Sequence, residues 1–128
     1  MATDPLDVLV VDDEESICLL LRDVLSRFGH KVVTCQAGTR ALELADGQPF
    51  DLIFLDIRMP GMSGLEALRR LREQQPGATF VMITGYAQTD VMDECLRSGA
   101  TACLGKPFSI SQVVKLLESV TAAAPAAG

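Results

Sequence analysis

The chain has 128 residues, 48% of them hydrophobic and 22% charged, which is enough apolar material for one compact domain and too little for two. Its 17 acidic and 11 basic side chains give a formal charge of −6, so nonspecific binding to nucleic-acid phosphates is disfavoured. No apolar run approaches the ~18 residues of a membrane helix, and no basic region precedes an apolar stretch at the start, so we expect a cytoplasmic protein.

Five short apolar runs divide the chain, and we predict that each is a strand. The strongest runs are continuous rather than alternating, which is typical of strands buried on both faces of a sheet. They lie at residues 8–11, 32–33, 52–55, 80–83 and 102–104.

The segments between these runs have the spacing of amphipathic helices. The first helix ends at Gly29, a residue type that favours helix termination, and its apolar face comprises Ile17, Leu20, Leu21, Val24, Leu25 and Phe28. A second helix is predicted over residues 39–45. We predict that His30, in the turn after the first helix, lies at the surface.

The third helix begins with Ser63-x-x-Glu66, the spacing of a capping box. Its arginines are interpreted as a solvated face on which Glu66 pairs with Arg69 or Arg70. The fourth helix is predicted over residues 89–97. A last helix begins at a Ser109 cap, and its apolar residues are Ile110, Val113, Val114, Leu117 and Val120.

The alternation of strands and helices predicts an α/β fold, a doubly wound, five-stranded parallel sheet with helices on both faces. For five such units the flavodoxin-like strand order 2-1-3-4-5 is the common solution, and its ligand crevice lies at the carboxyl ends of strands one and three. We assign residues 1–121 to this domain and residues 122–128, which are rich in alanine and proline, to a tail or the start of a linker.

Carboxylates follow the first and third predicted strands. Asp12, Asp13, Glu14 and Glu15 follow the first strand, and Asp56 follows the third. At ~4 Å and an effective dielectric near 20, each like-charged pair costs about 4 kcal/mol, which a bound cation would offset. Oxygen ligands at an open site suit Mg²⁺ or Mn²⁺. The fourth strand ends at Thr84 and the fifth is followed by Lys106, which add a hydroxyl and a positive charge.

Each of these residues also has an ordinary structural interpretation. Asp13 could cap the first helix, Asp56 could begin a turn, and Lys106 could be a solvated surface lysine. The shared position at one edge of the sheet favours a functional site over these separate roles.

The motifs at these strand ends resemble those of receiver domains in the two-component response regulator family, over about residues 6–120. The matching segments are VVDDE at 10–14, LDIRMPGMSG at 55–64, ITG at 83–85 and KPF at 106–108. The resemblance implies that Asp56 is the phosphoacceptor, and that Asp13, Asp56 and the backbone carbonyl of Arg58 hold Mg²⁺ (or Mn²⁺), with Asp12 acting through metal-bound water. Thr84 and Lys106 would bind phosphoryl oxygens, and the Lys106–Pro107 bond would be cis.

By the same resemblance, a sensor histidine kinase or a histidine phosphotransfer protein supplies the phosphoryl group, and the domain catalyses its own phosphotransfer and dephosphorylation. Phosphorylation would reshape the face made of the fourth helix, the fifth strand and the fifth helix, which acts on a downstream protein or a linked output domain; a phosphorylation-dependent dimer is compatible with this. Cys103 replaces the aromatic residue that most receivers carry three positions before the lysine.

Two other classes of function compete with this interpretation. A receiver-like interaction module that is never phosphorylated usually lacks one of the five residues that this chain retains, namely Asp12, Asp13, Asp56, Thr84 and Lys106. A flavin or nucleotide binder on the same fold would need a glycine- or hydroxyl-rich phosphate loop after the first strand, where the acidic run here would repel phosphate.

Overall fold

The computed structural model describes residues 5–85 and 89–123. Five parallel strands form one sheet with the order β2-β1-β3-β4-β5, which confirms the predicted topology. The strands are β1 (Asp7–Val11), β2 (Lys31–Cys35), β3 (Leu52–Asp56), β4 (Thr79–Thr84) and β5 (Ala102–Gly105).

Five helices alternate with the strands, as the apolar periodicity predicted. They are α1 (Glu15–Arg27), α2 (Gly38–Gly47), α3 (Gly64–Gln74), α4 (Thr89–Arg97) and α5 (Ile110–Ala123). Residues 124–128 of the predicted tail lie outside the described residues. Among the helices that the structure describes, none is long and apolar enough to cross a membrane.

The core has two layers, one on each face of the sheet. One layer joins side chains of α2 and α3 to Leu9, Ile53 and Met82 of the sheet, and Cys95 of α4 also lies in it. The other joins α1 and α5 to the opposite faces of the same strands. Every residue of β3 is buried, which explains why its sequence is a continuous apolar run until Asp56.

Local sequence patterns mark three helix boundaries correctly. The Ser63 hydroxyl accepts a hydrogen bond from the amide of Glu66, and Ser109 and Gln112 form a reciprocal capping box at the start of α5. Gly29, with φ +86°, follows the end of α1 in the left-handed conformation that glycine tolerates. The Lys106–Pro107 bond is cis, as expected.

Three predictions about exposure are wrong. The helical spacing predicts that Phe28 and Ile110 lie on apolar helix faces, but they are 51% and 53% exposed because each lies at a helix end, beyond the contact with the sheet. The sequence predicts that His30 lies at the surface, but it is only 7% exposed. Its Nδ1 accepts a hydrogen bond from the amide of Leu6, which joins the turn to the segment before β1.

The arginines of α3 are only partly a solvated face. Arg70 pairs with Glu66 at 2.8 Å, one of the two pairings predicted. Arg69 instead reaches Glu94 of α4 at 2.9 Å, and Arg72 donates a hydrogen bond to the carbonyl of Gly99. These contacts connect α3 to α4 and to the turn after α4.

The four cysteines are free thiols. Cys18, Cys35 and Cys95 are buried and Cys103 is half-buried, and burial raises the pKa of all four thiols. They therefore serve the core as small apolar side chains.

Candidate functional site

The predicted site residues lie at the carboxyl edge of the sheet. Asp12 follows β1, Asp56 ends β3, Thr84 ends β4 and Lys106 follows β5. Because all five strands are parallel, these four positions share one edge. The backbone reinforces the arrangement, since the amide of Lys106 donates to the carbonyl of Thr84 at 2.7 Å.

Four carboxylates converge at this edge. Asp12, Asp13, Glu14 and Asp56 each offer an oxygen, and these oxygens all lie within 4.8 Å of one another. Asp12 and Asp56 are buried, with 0% and 3% exposure, whereas Asp13 and Glu14 are exposed. The cluster thus has an inner pair held by the sheet and an outer pair open to solvent.

The Lys106 ammonium lies among three of these carboxylates. Its Nζ is 3.0 Å from Asp12 Oδ2, 2.6 Å from Glu14 Oε1 and 3.3 Å from Asp56 Oδ2. Burial lowers the pKa of Lys106, but the nearby carboxylates of Glu14 and Asp12 outweigh burial and raise the pKa overall. Three carboxylates share this one ammonium, so Lys106 compensates their charge only in part.

Asp12 is the most deeply buried carboxylate of the cluster, with 0% exposure. Its Oδ1 accepts a hydrogen bond from the amide of Glu14 at 2.8 Å. Its Oδ2 is buried and accepts no well-aligned hydrogen bond within the described part of the chain, although the Lys106 ammonium lies near it. An incompletely satisfied buried carboxylate oxygen beside three other carboxylates fits a hard divalent cation.

Asp56 has two differently placed oxygens. The amide of Arg58 donates to Oδ1 at 3.3 Å, and Lys106 lies beside Oδ2. Burial, followed by repulsion from Asp12, raises the pKa of Asp56 to about 7, although Lys106 opposes the shift. The fold therefore holds this carboxylate in a place where its charge is poorly compensated without a further cation.

A cavity of about 440 Å³ gives access to the cluster. Its lining residues are Asp13, Glu14, Asp56, Arg58, Gly85 and Lys106. Thr84 lies at the same edge, directly after Ile83, the β4 residue that pairs with Asp56. Thr84 is not among the residues that line the cavity, but Gly85, the next residue, is. A larger depression of about 550 Å³ lies at the opposite, amino-terminal edge, with Asp46 and Asp51 as its charged side chains.

Close packing of α3 fixes the end of β3. The amide of Gly64 donates to the carbonyl of Ile57 at 2.9 Å, and a Cβ at Gly64 would collide with the backbone of Asp56 and Ile57. Met59 and Met62 of the intervening loop pack against the core. The glycine thus allows the helix to approach and hold the backbone that carries Asp56.

The structure brings together Asp12, Asp13, Asp56 and Lys106, as the sequence predicted. For Arg58 it shows the amide beside Asp56, while the carbonyl remains a predicted metal ligand. Sequence reasoning missed the role of Glu14, whose carboxylate makes the shortest contact with Lys106. The position of Glu14, directly after Asp12 and Asp13, was the one sign in the sequence that its carboxylate could join the cluster.

Comparison with known proteins identifies the family to which this chain belongs. Residues 8–118 match the family model described as the response regulator receiver domain. The chain belongs to this family. It is a receiver domain of the two-component response regulators, with the doubly wound fold and acidic edge described above.

Individual relatives agree with this assignment. The receiver domain is 34% identical, over 95% of its length, to the transcriptional regulatory protein ZraR of Escherichia coli K12, of which it spans 28%. A CheY-like receiver domain protein from Methanospirillum hungatei has a TM-score of 0.91 at 26% identity, covering 98% of this chain and 100% of that one.

A further solved structure concerns the chemistry of the family. A response regulator from Burkholderia pseudomallei, solved with a phosphorylated aspartic acid, calcium ion and citrate, has a TM-score of 0.82 at 29% identity. The match covers 94% of this chain and 71% of that one.

Proposed function

We propose that Asp56 of this receiver domain accepts a phosphoryl group from a phosphohistidine of a sensor histidine kinase or a histidine phosphotransfer protein. The observation that carries the proposal is the position of Asp56, a buried carboxylate that lines an accessible cavity between further carboxylates and the Lys106 ammonium. The phosphorylated aspartic acid of the Burkholderia pseudomallei relative supports the same chemistry.

The proposed metal ion is Mg²⁺, with Mn²⁺ as a substitute. Asp13, Asp56 and the carbonyl of Arg58 would hold it directly, and Asp12 would act through water. The convergence of the carboxylate oxygens within 4.8 Å supports this set, as does the buried Oδ2 of Asp12, which accepts no well-aligned hydrogen bond from the described residues. When bound, the ion neutralises charge on the carboxylate and on the phosphoryl group, which otherwise repel each other.

The chain's own groups supply the rest of the chemistry. An oxygen of Asp56 attacks phosphorus and forms an O–P bond, while the P–N bond of the phosphohistidine breaks and its electron pair returns to the imidazole. Lys106 pairs with one phosphoryl oxygen, and the Thr84 hydroxyl and the Gly85 amide donate to others. Water then cleaves the acyl phosphate, which regenerates Asp56 and releases phosphate.

The response passes to another protein or to a linked output domain. The proposed route is a change of the face formed by α4, β5 and α5, which responds to the added negative charge near Thr84 and Lys106. Cys103, on β5, replaces the aromatic residue that most receiver domains carry at this position. Because the cysteine side chain is smaller, backbone movement or another side chain transmits the change. We place this exchange, and any phosphorylation-dependent dimer, in the cytoplasm.

Acetyl phosphate, a small phosphoryl donor, tests the proposal. Incubated with Mg²⁺, the wild-type protein should gain the mass of one phosphoryl group, and the gain should be lost with EDTA and in Asp56→Asn. Asp46→Asn is the control, since it removes an exposed carboxylate of α2 and should keep the adduct. No adduct, together with no binding of beryllofluoride, would instead favour an interaction module that is never phosphorylated.

A further inference from the structure

Glu14 makes the closest contact with Lys106. Its Oε1 lies 2.6 Å from Nζ, compared with 3.3 Å between Nζ and Asp56 Oδ2. The Glu14 side chain is 55% exposed, whereas that of Lys106 is 15% exposed. A solvent-facing carboxylate therefore holds the ammonium on the outer side of the cluster.

The ammonium has three N–H donors and three carboxylate neighbours. One of these neighbours is Asp56 itself. A phosphoryl group on Asp56 extends beyond the carboxylate, so an ammonium that follows it must loosen its contact with Asp12 or with Glu14. Asp12 is fully buried, and a buried carboxylate that loses its cation is strongly destabilised. Glu14 can turn into water at small cost, because exposed ion pairs contribute little free energy.

We propose that Glu14 is a positioning residue that holds Lys106 at the mouth of the site and competes with the phosphoryl group for its ammonium. The inference rests on the proposed function, since it concerns how readily Lys106 is released to Asp56. Glu14 thereby weakens the binding of phosphoryl groups to the resting domain. Glu15, the next residue, begins α1 and is not among the carboxylates that contact Lys106.

Binding of beryllofluoride, a mimic of the phosphoryl group, tests this at saturating Mg²⁺. Glu14→Gln should bind it about three-fold more tightly than wild type, a size typical of a partly exposed ion pair. Glu15→Gln makes the same change of net charge and should have a clearly smaller effect. Glu14→Asp keeps the charge but shortens the side chain, so it should resemble Glu14→Gln if contact with Lys106 is what matters.

A spectroscopic readout does not depend on binding. In the free protein, the Lys106 ammonium resonance in a ¹H–¹⁵N NMR spectrum should move in Glu14→Gln and in Glu14→Asp, and should stay in place in Glu15→Gln. A resonance that stays in place in all three variants would show that Glu14 does not position Lys106.

Failure of this inference differs from failure of the proposed function. If wild type binds beryllofluoride but Glu14→Gln binds it no more tightly than Glu15→Gln, the competition is wrong and the phosphoacceptor proposal stands. A Glu14→Asp variant that matches wild type would show that charge repulsion acts in place of contact, which also overturns the inference. If wild type binds no beryllofluoride with Mg²⁺, the proposed function fails and the inference falls with it.

Discussion

Lys106 Nζ lies 3.3 Å from Asp56 Oδ2, although 50 residues separate the two in the chain. This ion pair joins the loop after β5 to the end of β3 and places a positive charge beside the proposed phosphoacceptor. It compensates Asp56 only in part, because burial and the neighbouring Asp12 still raise the pKa of Asp56 to about 7. The domain thus stores unfavourable electrostatic free energy at the candidate functional site.

The first prediction concerns stability without metal. Asp56 has a higher pKa in the folded protein than in the unfolded chain, so its contribution to stability is present below about pH 4 and is lost as pH rises through about 7. At pH 7.5 in EDTA, Asp56→Asn should therefore raise the melting temperature by about 4 °C, equivalent to about 1 kcal/mol. Differential scanning calorimetry measures this.

The control for this measurement is Asp46→Asn, which removes one negative charge from an exposed position on α2. It should leave the melting temperature almost unchanged. If Asp56→Asn were less stable than wild type at pH 7.5, the attraction of Lys106 would outweigh burial and the repulsion from Asp12, contrary to this account.

The second prediction concerns metal addition. A cation that binds only the folded protein stabilises it by about 1.4 kcal/mol at ten times its dissociation constant. Mg²⁺ should therefore raise the melting temperature of wild type by about 5 °C, and EDTA should reverse the rise. Asp13→Asn should lose most of the effect and Asp46→Asn should keep it. An equal response in all three proteins would assign the effect to general screening of acidic charge.

The third prediction concerns His30. Burial lowers the pKa of this imidazole, and its Nδ1 must be unprotonated to accept the hydrogen bond from Leu6. Its stabilising contribution is therefore present above about pH 6.5 and is lost as pH falls through the lowered pKa. His30→Asn keeps an acceptor oxygen but does not titrate. Wild type should exceed it in stability by about 1 kcal/mol at pH 7.5, from the lost packing of the ring.

Urea denaturation at pH 7.5 and at pH 5 checks this difference. The gap between wild type and His30→Asn should shrink at the lower pH, and taking the difference removes the opposing titration of Asp56. A gap that stays constant or grows would mean that His30 is not held in its neutral form.

The fourth prediction concerns the packing of α3 against the end of β3. A methyl group at Gly64 would collide with the backbone of Asp56 and Ile57, so Gly64→Ala should destabilise the domain by about 3 kcal/mol. Gly47→Ala is the matched control, because nothing lies within 4 Å of a Cβ at that position. Equal stability of the two variants in urea would contradict the close approach.

The sequence predicted the fold and most of the site because both depend on strong local patterns. Continuous apolar runs identified the buried strands, and the parallel topology then placed Asp12, Asp56 and Lys106 at one edge without any knowledge of distances. The caps at Ser63 and Ser109 are likewise local, since each involves residues three apart.

The features that sequence reasoning missed depend on contacts between distant segments. Glu14 meets Lys106 across 92 residues, and Arg69 pairs with Glu94 of another helix across 25 residues. His30 has the sequence context of an exposed turn, and only its contact with the segment before β1 buries it. Helix periodicity alone could not show that Phe28 and Ile110 lie beyond the edge of the sheet contact.

The central claim is that Asp56 carries the phosphoryl group, and chemical trapping of the acyl phosphate tests it most directly. Borohydride reduces an aspartyl phosphate to homoserine, so protein treated with acetyl phosphate, Mg²⁺ and borohydride can be digested and sequenced by mass spectrometry. The account predicts homoserine at position 56 in wild type and at no position in Asp56→Asn. Homoserine at position 12 or 13, or modification that survives in Asp56→Asn, would contradict it.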